Sequence, residues 1–501
     1  MSFLEYILMK ESNTKKDSKG VIYDMKRNKI ILLLLSFLFA ERGDLISAEM
    51  LSTKSSGNNQ IYIDMELSST ITGQFNLDPV TYGYWLYKIT YETIDINGNP
   101  HIATGVVSYP RVDWPNSPNE AFPIISYQHG TVVERSSVTS VSGVWILSAF
   151  LSGSGYVYVE PDYLGLGDSQ GMHPYQIKEP YGTSIVDLIR AVQTYSEENN
   201  QFSINEQLFL VGYSEGGYAT MALHQIIERD YSDEFNITAS FPMAGAYSMS
   251  EIMVDVMLAY QEYGEPFYFP YVLFSYLDSY PEIGLMQDYL LPEYWALQDM
   301  FDGYHSSIEI NDFMPSVPIT IMIPDSVISF ANNYNHPLKV ALRSNDLWDW
   351  TPAAPMYIFH GIADELVPAE NSQLAYTQFI ENGADDVHLE LIPATFGGHQ
   401  DVAPWALLGA FEFAQDMQII DCLVEIDCNG ECGGNAQFDE CGVCEGDNTS
   451  CGLIGDLNED QVLNVLDIVL IVNHIFDLSP YNPIADINSD GVVNVLDIVG
   501  L

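Results

Sequence analysis

The sequence Gly212-Tyr213-Ser214-Glu215-Gly216 has the spacing G-x-S-x-G, in which the central serine could attack an acyl carbon. An apolar run, QLFLV, precedes the motif, and the helix-like stretch GYATMALHQII follows it. A serine on such a strand-to-helix turn presents its hydroxyl, while the flanking glycines keep bulk away. The N-terminus of the helix would add positive potential near an oxyanion. We therefore predict that Ser214 is the nucleophile of an acyl transfer; the alternative is a passive serine in a Gly-rich turn.

A serine hydroxyl becomes a good nucleophile only beside a base that is itself held by an acid. Asp364 lies on a loop after the predicted strand PMYIFHG, and His399 lies on a Gly-rich loop after the predicted strand VHLELIP. The chain order serine, acid, histidine is typical of this kind of motif. We predict that Ser214, Asp364 and His399 form a triad. The chain also offers alternative acids and bases: Asp346, Asp349, Asp401, His360 and His388.

Acyl transfer also needs hydrogen-bond donors for the developing oxyanion. One predicted donor is the backbone N–H of Glu215, the residue that follows the nucleophile. The other predicted donor is the N–H of Thr131, in the His129-Gly130-Thr131 sequence that ends the apolar run FPIISYQHGT. The alternative for His129 is that it only holds this loop through hydrogen bonds.

The elements that must position these residues alternate along the chain. Short apolar runs predict strands, and SIVDLIRAVQTY (184–195) and GYATMALHQIIERD (217–230) predict helices between them. This alternation predicts an α/β fold, with a mostly parallel sheet that has helices on both faces. YGYWLYKITYETI (82–94) and HIATGVVSYP (101–110) predict a hairpin that turns at Asn97-Gly98-Asn99-Pro100, and IYIDMEL (61–67) predicts one earlier strand. Residues 251–345 break the alternation and predict a helical insertion.

Several of these segments together resemble the α/β-hydrolase superfamily, in particular its secreted lipase and esterase branch. They are the strand before HGT, PDYLGLGDSQGMHPY (161–175), GYSEGG, HGIADELVP and GGH, and the resemblance covers about residues 80–420. It implies ester hydrolysis through an acyl-enzyme without a catalytic cofactor, and a helical cap at about residues 251–345. The aromatic run YQEYGEPFYFPYVLFSYLDSY (260–280) would then line an acyl pocket or form the core of the cap.

The cysteines are confined to a short segment, within a predicted Cys-rich spacer at residues 421–453. In a protein that is exported, six cysteines in 30 residues would indicate three disulfides, with fifteen possible pairings. The alternative is a zinc site on the C-x-x-C pair, Cys441 and Cys444. The six are Cys422, Cys428, Cys432, Cys441, Cys444 and Cys451.

The C-terminal residues 454–501 contain an internal repeat, in which GDLNEDQVLNVLDIVLI realigns with ADINSDGVVNVLDIVGL. Carboxylate, amide and carbonyl oxygens recur at positions 1, 3, 5, 7, 9 and 12 of each copy, as they do in EF-hand-type calcium loops. The alternative is an acidic linker. The candidate ligands are Asp456, Asn458, Asp460, Val462, Asn464 and Asp467 in the first copy, and Asp486, Asn488, Asp490, Val492, Asn494 and Asp497 in the second.

This repeat resembles a dockerin module, short and all-α, which implies structural calcium and a cohesin-like protein partner. Gln461 stands where the first loop would have glycine, and Gly491 keeps it in the second. Because the sequence stops at Leu501, before a second helix could complete, we expect a truncated module whose pairing with such a partner is in doubt.

The chain of 501 residues has 69 acidic and 17 basic residues, a formal charge of −52. Nucleic acid is therefore an unsuitable partner, since no basic residue occurs after Arg343. Lys26, Arg27 and Lys29 precede the 11-residue apolar run IILLLLSFLFA, which predicts a leader at residues 1–40, with Met25 as the start and cleavage after Ala40 or Ala48. We therefore expect a secreted or surface-associated protein; a retained anchor or a buried helix is the alternative.

The predicted function is hydrolysis of a small-molecule, lipid or polymer ester. Carbohydrate acetyl or feruloyl ester hydrolysis, polyester hydrolysis and peptide hydrolysis on the same fold remain open. So does a non-enzymatic role, as a calcium-dependent binding or scaffold protein whose hydrolase fold is inactive.

Overall fold

The computed structural model describes residues 41–67, 79–112, 119–143, 146–430, 432–439, 444–445, 454–458, 460, 462–477, 484–488 and 490–500. The predicted leader at residues 1–40 lies outside them. The chain forms two compact units, of which the first comprises Met1–Ser117 with Phe122–Ile420. The second comprises Pro118–Ala121 with Asp421–Leu501.

A mixed sheet organises the first unit, with the spatial strand order β1-β2-β3-β5-β4-β6-β7-β8-β9. Strands β1 to β3 and the β3–β5 pair are antiparallel, whereas β5 with β4 and the strands from β6 to β9 pair in parallel. The strands are β1 (Leu45–Lys54), β2 (Gly83–Ile94), β3 (Pro100–Arg111), β4 (Glu120–Gln128), β5 (Val157–Pro161), β6 (Ser203–Tyr213), β7 (Ile237–Met243), β8 (Met356–Gly361) and β9 (Val387–Ile392).

Helices connect the strands and cover the sheet. Those outside the insertion are α1 (Ser56–Leu67), α2 (Thr139–Ser142), α3 (Ile146–Gly153), α4 (Lys178–Asn199), α5 (Glu215–Asp230), α12 (Glu370–Glu381) and α13 (His399–Met417). The insertion between β7 and β8 contains α6 (Ile252–Leu258), α7 (Tyr268–Ser279), α8 (Leu297–Met300), α9 (Ser307–Phe313), α10 (Pro324–Asn332) and α11 (Pro337–Ser344).

The central strands are buried on both faces. Successive side chains of a strand point to opposite faces, and those of β6 belong to two different clusters of buried residues. Leu208 and Leu210 pack in one cluster, while Phe209 and Val211 pack in the other. This arrangement explains the continuous apolar run before the serine motif, and it confirms the predicted α/β class.

The predicted hairpin is present as β2 and β3, which pair in register along twelve residues. Asp95 N–H donates to the carbonyl of Asn99 over 2.9 Å, and Gly98 has a φ of +78°, in the left-handed region that favours glycine. Gly98 therefore adopts the backbone conformation that the predicted turn requires.

The predicted strand at residues 61–67 is wrong, since these residues belong to helix α1. Asn59 and Ile63 are buried, whereas Ile61 and Met65 are exposed, so burial follows a spacing of four residues. The Asn59 amide donates to the carbonyls of Tyr82 and Ala149. These contacts with distant segments favour the helix, although the local alternation indicated a strand. The sequence also did not predict β1, which pairs with only one neighbour in the sheet.

The second unit contains two disulfides among its described residues, Cys422–Cys432 and Cys428–Cys444. Because Cys444 is in a disulfide, the zinc alternative on Cys441 and Cys444 is wrong for this structure. Cys441 and Cys451 lie outside the described residues. A two-residue strand, β10 (Asp421–Cys422), pairs with Glu120 and Ala121. Helices α14 (Val465–Asp477) and α15 (Val495–Gly500) follow the two repeat loops. In the described part of the chain, no helix combines the length and the apolar character of a membrane span.

Candidate active site

Ser214 lies on the sharp turn between β6 and α5. Its backbone has a φ of 62° and a ψ of −122°, which are unfavourable for a residue with a side chain. The turn is held by close packing, because a Cβ on Gly216 would collide with the backbone of Gln128 and one on Gly217 with that of Met243. The glycines of the motif therefore allow the backbone approach that holds the strained serine in place.

The structure brings together the three residues predicted as a triad. The imidazole Nε2 of His399 lies 2.8 Å from Ser214 Oγ, and its Nδ1 lies 2.5 Å from Asp364 Oδ2. His399 is almost fully buried, and it is the first residue of α13. An Nδ1–H that donates to Asp364 leaves Nε2 free to accept the serine proton, which is the arrangement that a general base requires.

Asp364 is fixed by three partners besides His399. Its Oδ1 accepts from the backbone N–H of Leu366 at 3.0 Å and of Val367 at 2.7 Å, and its Oδ2 lies 3.3 Å from His360 Nε2. His360 Nδ1 accepts from Ser372 Oγ at 2.6 Å. Burial acts to raise the pKa of Asp364, but hydrogen bonds from His360 and His399 outweigh it and lower the pKa to about 2. Asp364 is therefore ionised wherever His399 could act as a base.

The alternative acids and bases have other partners. Asp401 accepts from the backbone N–H of Gly398, which begins the turn into α13. Asp346 accepts from the N–H and hydroxyl of Ser250. Asp349 accepts from the Asn382 amide, and His388 pairs with Asp386 at the surface. None of these hydrogen bonds includes His399, so the structure favours the predicted set over these alternatives.

The predicted oxyanion residues are Thr131, which shares a cavity with Ser214, and Glu215, which follows Ser214 in the chain. Thr131 lines the same cavity as Ser214 and His399, and its hydroxyl lies 2.9 Å from the hydroxyl of Tyr175. Glu215 follows Ser214 as the first residue of α5. His129 Nδ1 donates to the carbonyl of Gly130 at 2.7 Å, so its side chain rigidifies this loop.

A buried network behind Glu215 was missed by the sequence reasoning. Glu215 Oε1 lies 2.7 Å from His173 Nε2 and 2.7 Å from the hydroxyl of Tyr181, which donates to it. His173 Nδ1 donates to the carbonyl of Leu164 at 2.8 Å. The HPY sequence of the family-like segment was the available signal, but it gives no indication that His173 meets Glu215.

Two cavities meet at Ser214. One measures about 60 Å³ and lies beneath the insertion, where its wall is mostly apolar and includes Met249, Met253 and Met257. The other measures about 280 Å³ and is lined by His399 and by a larger share of polar side chains. A ligand bound at the Ser214 hydroxyl can therefore extend into both cavities.

The two repeat loops have matching hydrogen bonds. Asp467 Oδ1 accepts from Asn458 N–H at 3.3 Å and its Oδ2 from Asn464 N–H at 2.9 Å, and Asp497 repeats both bonds in the second copy. These backbone donors, Asn464 first, lower the pKa of Asp467. Each loop thus closes on the carboxylate at its twelfth position.

The residues of these loops fit a bound Ca²⁺ ion. Four carboxylates in them are buried, and the second unit has no lysine or arginine that could balance their charge. Among the described residues, no three His, Cys, Asp or Glu side chains converge on one point, so asparagine and carbonyl oxygens would have to complete each site. The buried carboxylates are Asp456, Asp467, Asp486 and Asp497.

Known proteins are similar to this chain in each of its two units. Residues 454–501 match the model of the dockerin type I domain. The chain is 22% identical over 265 residues to the secreted triacylglycerol lipase LIP2 of Malassezia globosa, a match that covers 51% of this chain and 54% of that lipase. The chain thus spans about half the length of this curated relative.

Solved structures match a longer part of the chain. A candidate hydrolase from Legionella pneumophila is 27% identical with a TM-score of 0.66, and the match covers 74% of this chain and 98% of that one. The rice cell wall degrading esterase LipA from Xanthomonas oryzae is 25% identical with a TM-score of 0.65, covering 75% and 98%. The protein therefore has an α/β-hydrolase fold of the lipase and esterase kind, followed by a C-terminal dockerin type I domain.

Proposed function

We propose that this protein is a secreted carboxylic-ester hydrolase that acts through Ser214, His399 and Asp364. The observation that carries the proposal is the continuous chain of contacts from Ser214 Oγ to His399 and on to Asp364, at 2.8 and 2.5 Å. Acyl transfer needs a nucleophilic hydroxyl, a base and an acid that orients the base, and here the hydroxyl of Ser214, a buried imidazole and an ionised carboxylate meet.

In the proposed reaction, His399 Nε2 takes the proton of Ser214 as Oγ attacks the ester carbonyl. The backbone N–H groups of Thr131 and Glu215 stabilise the oxyanion, and Asp364 stabilises the imidazolium. His399 then gives the proton to the departing alcohol, which leaves an acyl-enzyme on Ser214. A water molecule, deprotonated by His399, hydrolyses that intermediate and restores the hydroxyl.

Replacement of the serine tests this proposal. Ser214→Ala should abolish hydrolysis of p-nitrophenyl acetate without changing the melting temperature, and Asp364→Asn should lower kcat on the order of a thousandfold or more. Ser232→Ala, at an exposed serine after α5, is the matched control and should keep full activity. Undiminished ester hydrolysis by Ser214→Ala would refute the proposal, and peptide turnover without any ester turnover would favour the peptidase alternative.

For the C-terminal domain, we propose structural Ca²⁺ in the two loops and docking to a cohesin-like protein outside the cell. The dockerin match, the paired loop geometry and the buried carboxylates support this role. When bound, the ion would supply positive charge to the buried carboxylates and so hold each loop closed. Binding of a cohesin module in Ca²⁺ and its loss in a chelator would test the docking, and no binding in either buffer would refute it.

A further inference from the structure

The cavity lined by His399 is the side on which the alcohol part of an ester must lie. This inference rests on the proposed function, in which the leaving oxygen receives its proton from His399 Nε2. Of the two cavities at Ser214, the 280 Å³ one has His399 among its lining residues, whereas the 60 Å³ one has Glu215 and the three methionines. The larger space is therefore available to the alcohol, and the smaller apolar space to the acyl group.

The alcohol-side cavity contains a buried carboxyl group that the proposed mechanism does not use. Glu160, on β5, is 3% exposed and lines this cavity. The hydroxyl of Tyr158 donates to its Oε2 at 2.8 Å, and Thr139 donates to the same carboxyl group. No lysine or arginine is among the residues that line the cavity. Its polar lining residues include Tyr127, His129, Thr131, Ser137, Thr139 and Gln400.

We propose that Glu160 determines the alcohol specificity and that the cavity takes a neutral, polyhydroxylated alcohol such as a sugar. A carboxyl group in a confined space is stabilised by hydrogen-bond donors, which the hydroxyls of a sugar supply and an alkyl chain does not. A site that hydrogen-bonds a substrate hydroxyl discriminates strongly against an analogue that lacks it. Because no lysine or arginine lines the cavity, an anionic alcohol would find neither side chain there to balance its charge.

The acyl side restricts the other half of the substrate. The 60 Å³ cavity has a mostly apolar wall and shares Met257, Phe269 and Val272 with a further apolar cavity of about 20 Å³, so it suits an alkyl acyl group. The substrate class that both cavities together favour is an aliphatic acyl ester of a carbohydrate.

The test compares two esters that share the acetyl group and differ in the alcohol, 6-O-acetylglucose and ethyl acetate. The wild-type chain should show a ratio of kcat/KM values that favours the sugar ester by about tenfold or more. Glu160→Leu, which removes both acceptor oxygens, should lower that ratio by about tenfold to a hundredfold, and Glu160→Gln, which keeps one acceptor, should lower it less. Glu390→Leu, at an exposed position of β9, is the control and should leave the ratio unchanged.

A second measurement needs no variant. Methyl glucoside should inhibit wild-type hydrolysis of p-nitrophenyl acetate at lower concentration than cyclohexylmethanol. A wild-type preference for ethyl acetate, a ratio that both Glu160 variants leave unchanged, or stronger inhibition by cyclohexylmethanol would each overturn the inference. Failure of the proposed function gives a different result, because Ser214→Ala would then hydrolyse both esters.

Discussion

The burial of Glu160 makes the stability of the first unit depend on pH. Burial raises the pKa of Glu160 from 4.5 to about 7, although His129, Thr139 and Tyr158 act in the opposite direction. A carboxyl group whose pKa is raised by folding binds its proton more tightly in the native state. The contribution of Glu160 to stability is therefore greatest below the unfolded pKa and falls as pH rises towards and through 7.

The magnitude follows from the shift in pKa. A difference of about 2.5 units at about 1.4 kcal/mol each gives roughly 3 kcal/mol of stability that is lost between pH 4.5 and pH 8. Glu160→Gln cannot ionise, so it removes this loss. We predict that the unfolding free energy of the variant, minus that of the wild type, increases by about 3 kcal/mol over this range.

Urea unfolding followed by tryptophan fluorescence measures this difference in the full chain. All seven tryptophans lie between residues 85 and 405, so the signal reports the first unit. Subtraction of the wild-type curve cancels groups that titrate in both proteins. Glu390→Gln, the matched change at an exposed glutamate, should give a difference that is flat with pH. A flat difference for Glu160→Gln, or one that falls as pH rises, would refute the reasoning.

Four other predictions concern the apolar cavity, Arg42 and the two repeat loops. Met253→Ala should enlarge the apolar cavity and raise kcat/KM for p-nitrophenyl hexanoate relative to the acetate; an unchanged ratio would place the acyl group elsewhere. Arg42→Ala should lower the unfolding free energy by about 1–3 kcal/mol in urea titrations, because Arg42 Nε donates to the buried Asp187 over 3.1 Å. Mass spectrometry of the exported protein should accordingly find a mature chain that still contains Arg42, and a later start would contradict this. Removal of Ca²⁺ by EGTA, or the paired changes Asp467→Asn and Asp497→Asn, should melt only the second unit by circular dichroism; loss of ester hydrolysis with unchanged tryptophan fluorescence would contradict that expectation.

Features with local causes could be predicted from the sequence. The strand, turn and helix around Ser214 follow from neighbouring residues, because the glycines and the apolar run on either side fix that backbone. The hairpin of β2 and β3 likewise follows from its turn residues. By contrast, IYIDMEL alternates like a strand and yet forms helix α1, because Asn59 bonds to carbonyls of the segments that α1 packs against.

Which residues form the site depended largely on contacts between segments that are far apart in the sequence. The sequence order suggested Asp364 and His399 but left several alternative acids and bases open. In the fold, Asp364 is hydrogen-bonded to His399, whereas Asp346, Asp349 and Asp401 are hydrogen-bonded to other residues. His360 beside Asp364, and His173 beside Glu215, gave no sequence signal of these roles. His173 and Glu215 meet because separate elements pack together, whereas His360 and Asp364 are four residues apart and meet at the end of β8.

The sequence by itself determined the serine turn, the alternation of strands and helices, the dockerin repeat and the confinement of cysteines, because each depends on residue type and short-range spacing. Only the tertiary structure decided which side chains meet His399, how the two cavities differ and that Glu160 faces one of them. Burial and distance between remote residues arise when the chain packs, and those two quantities set the pKa values and the shape of the site.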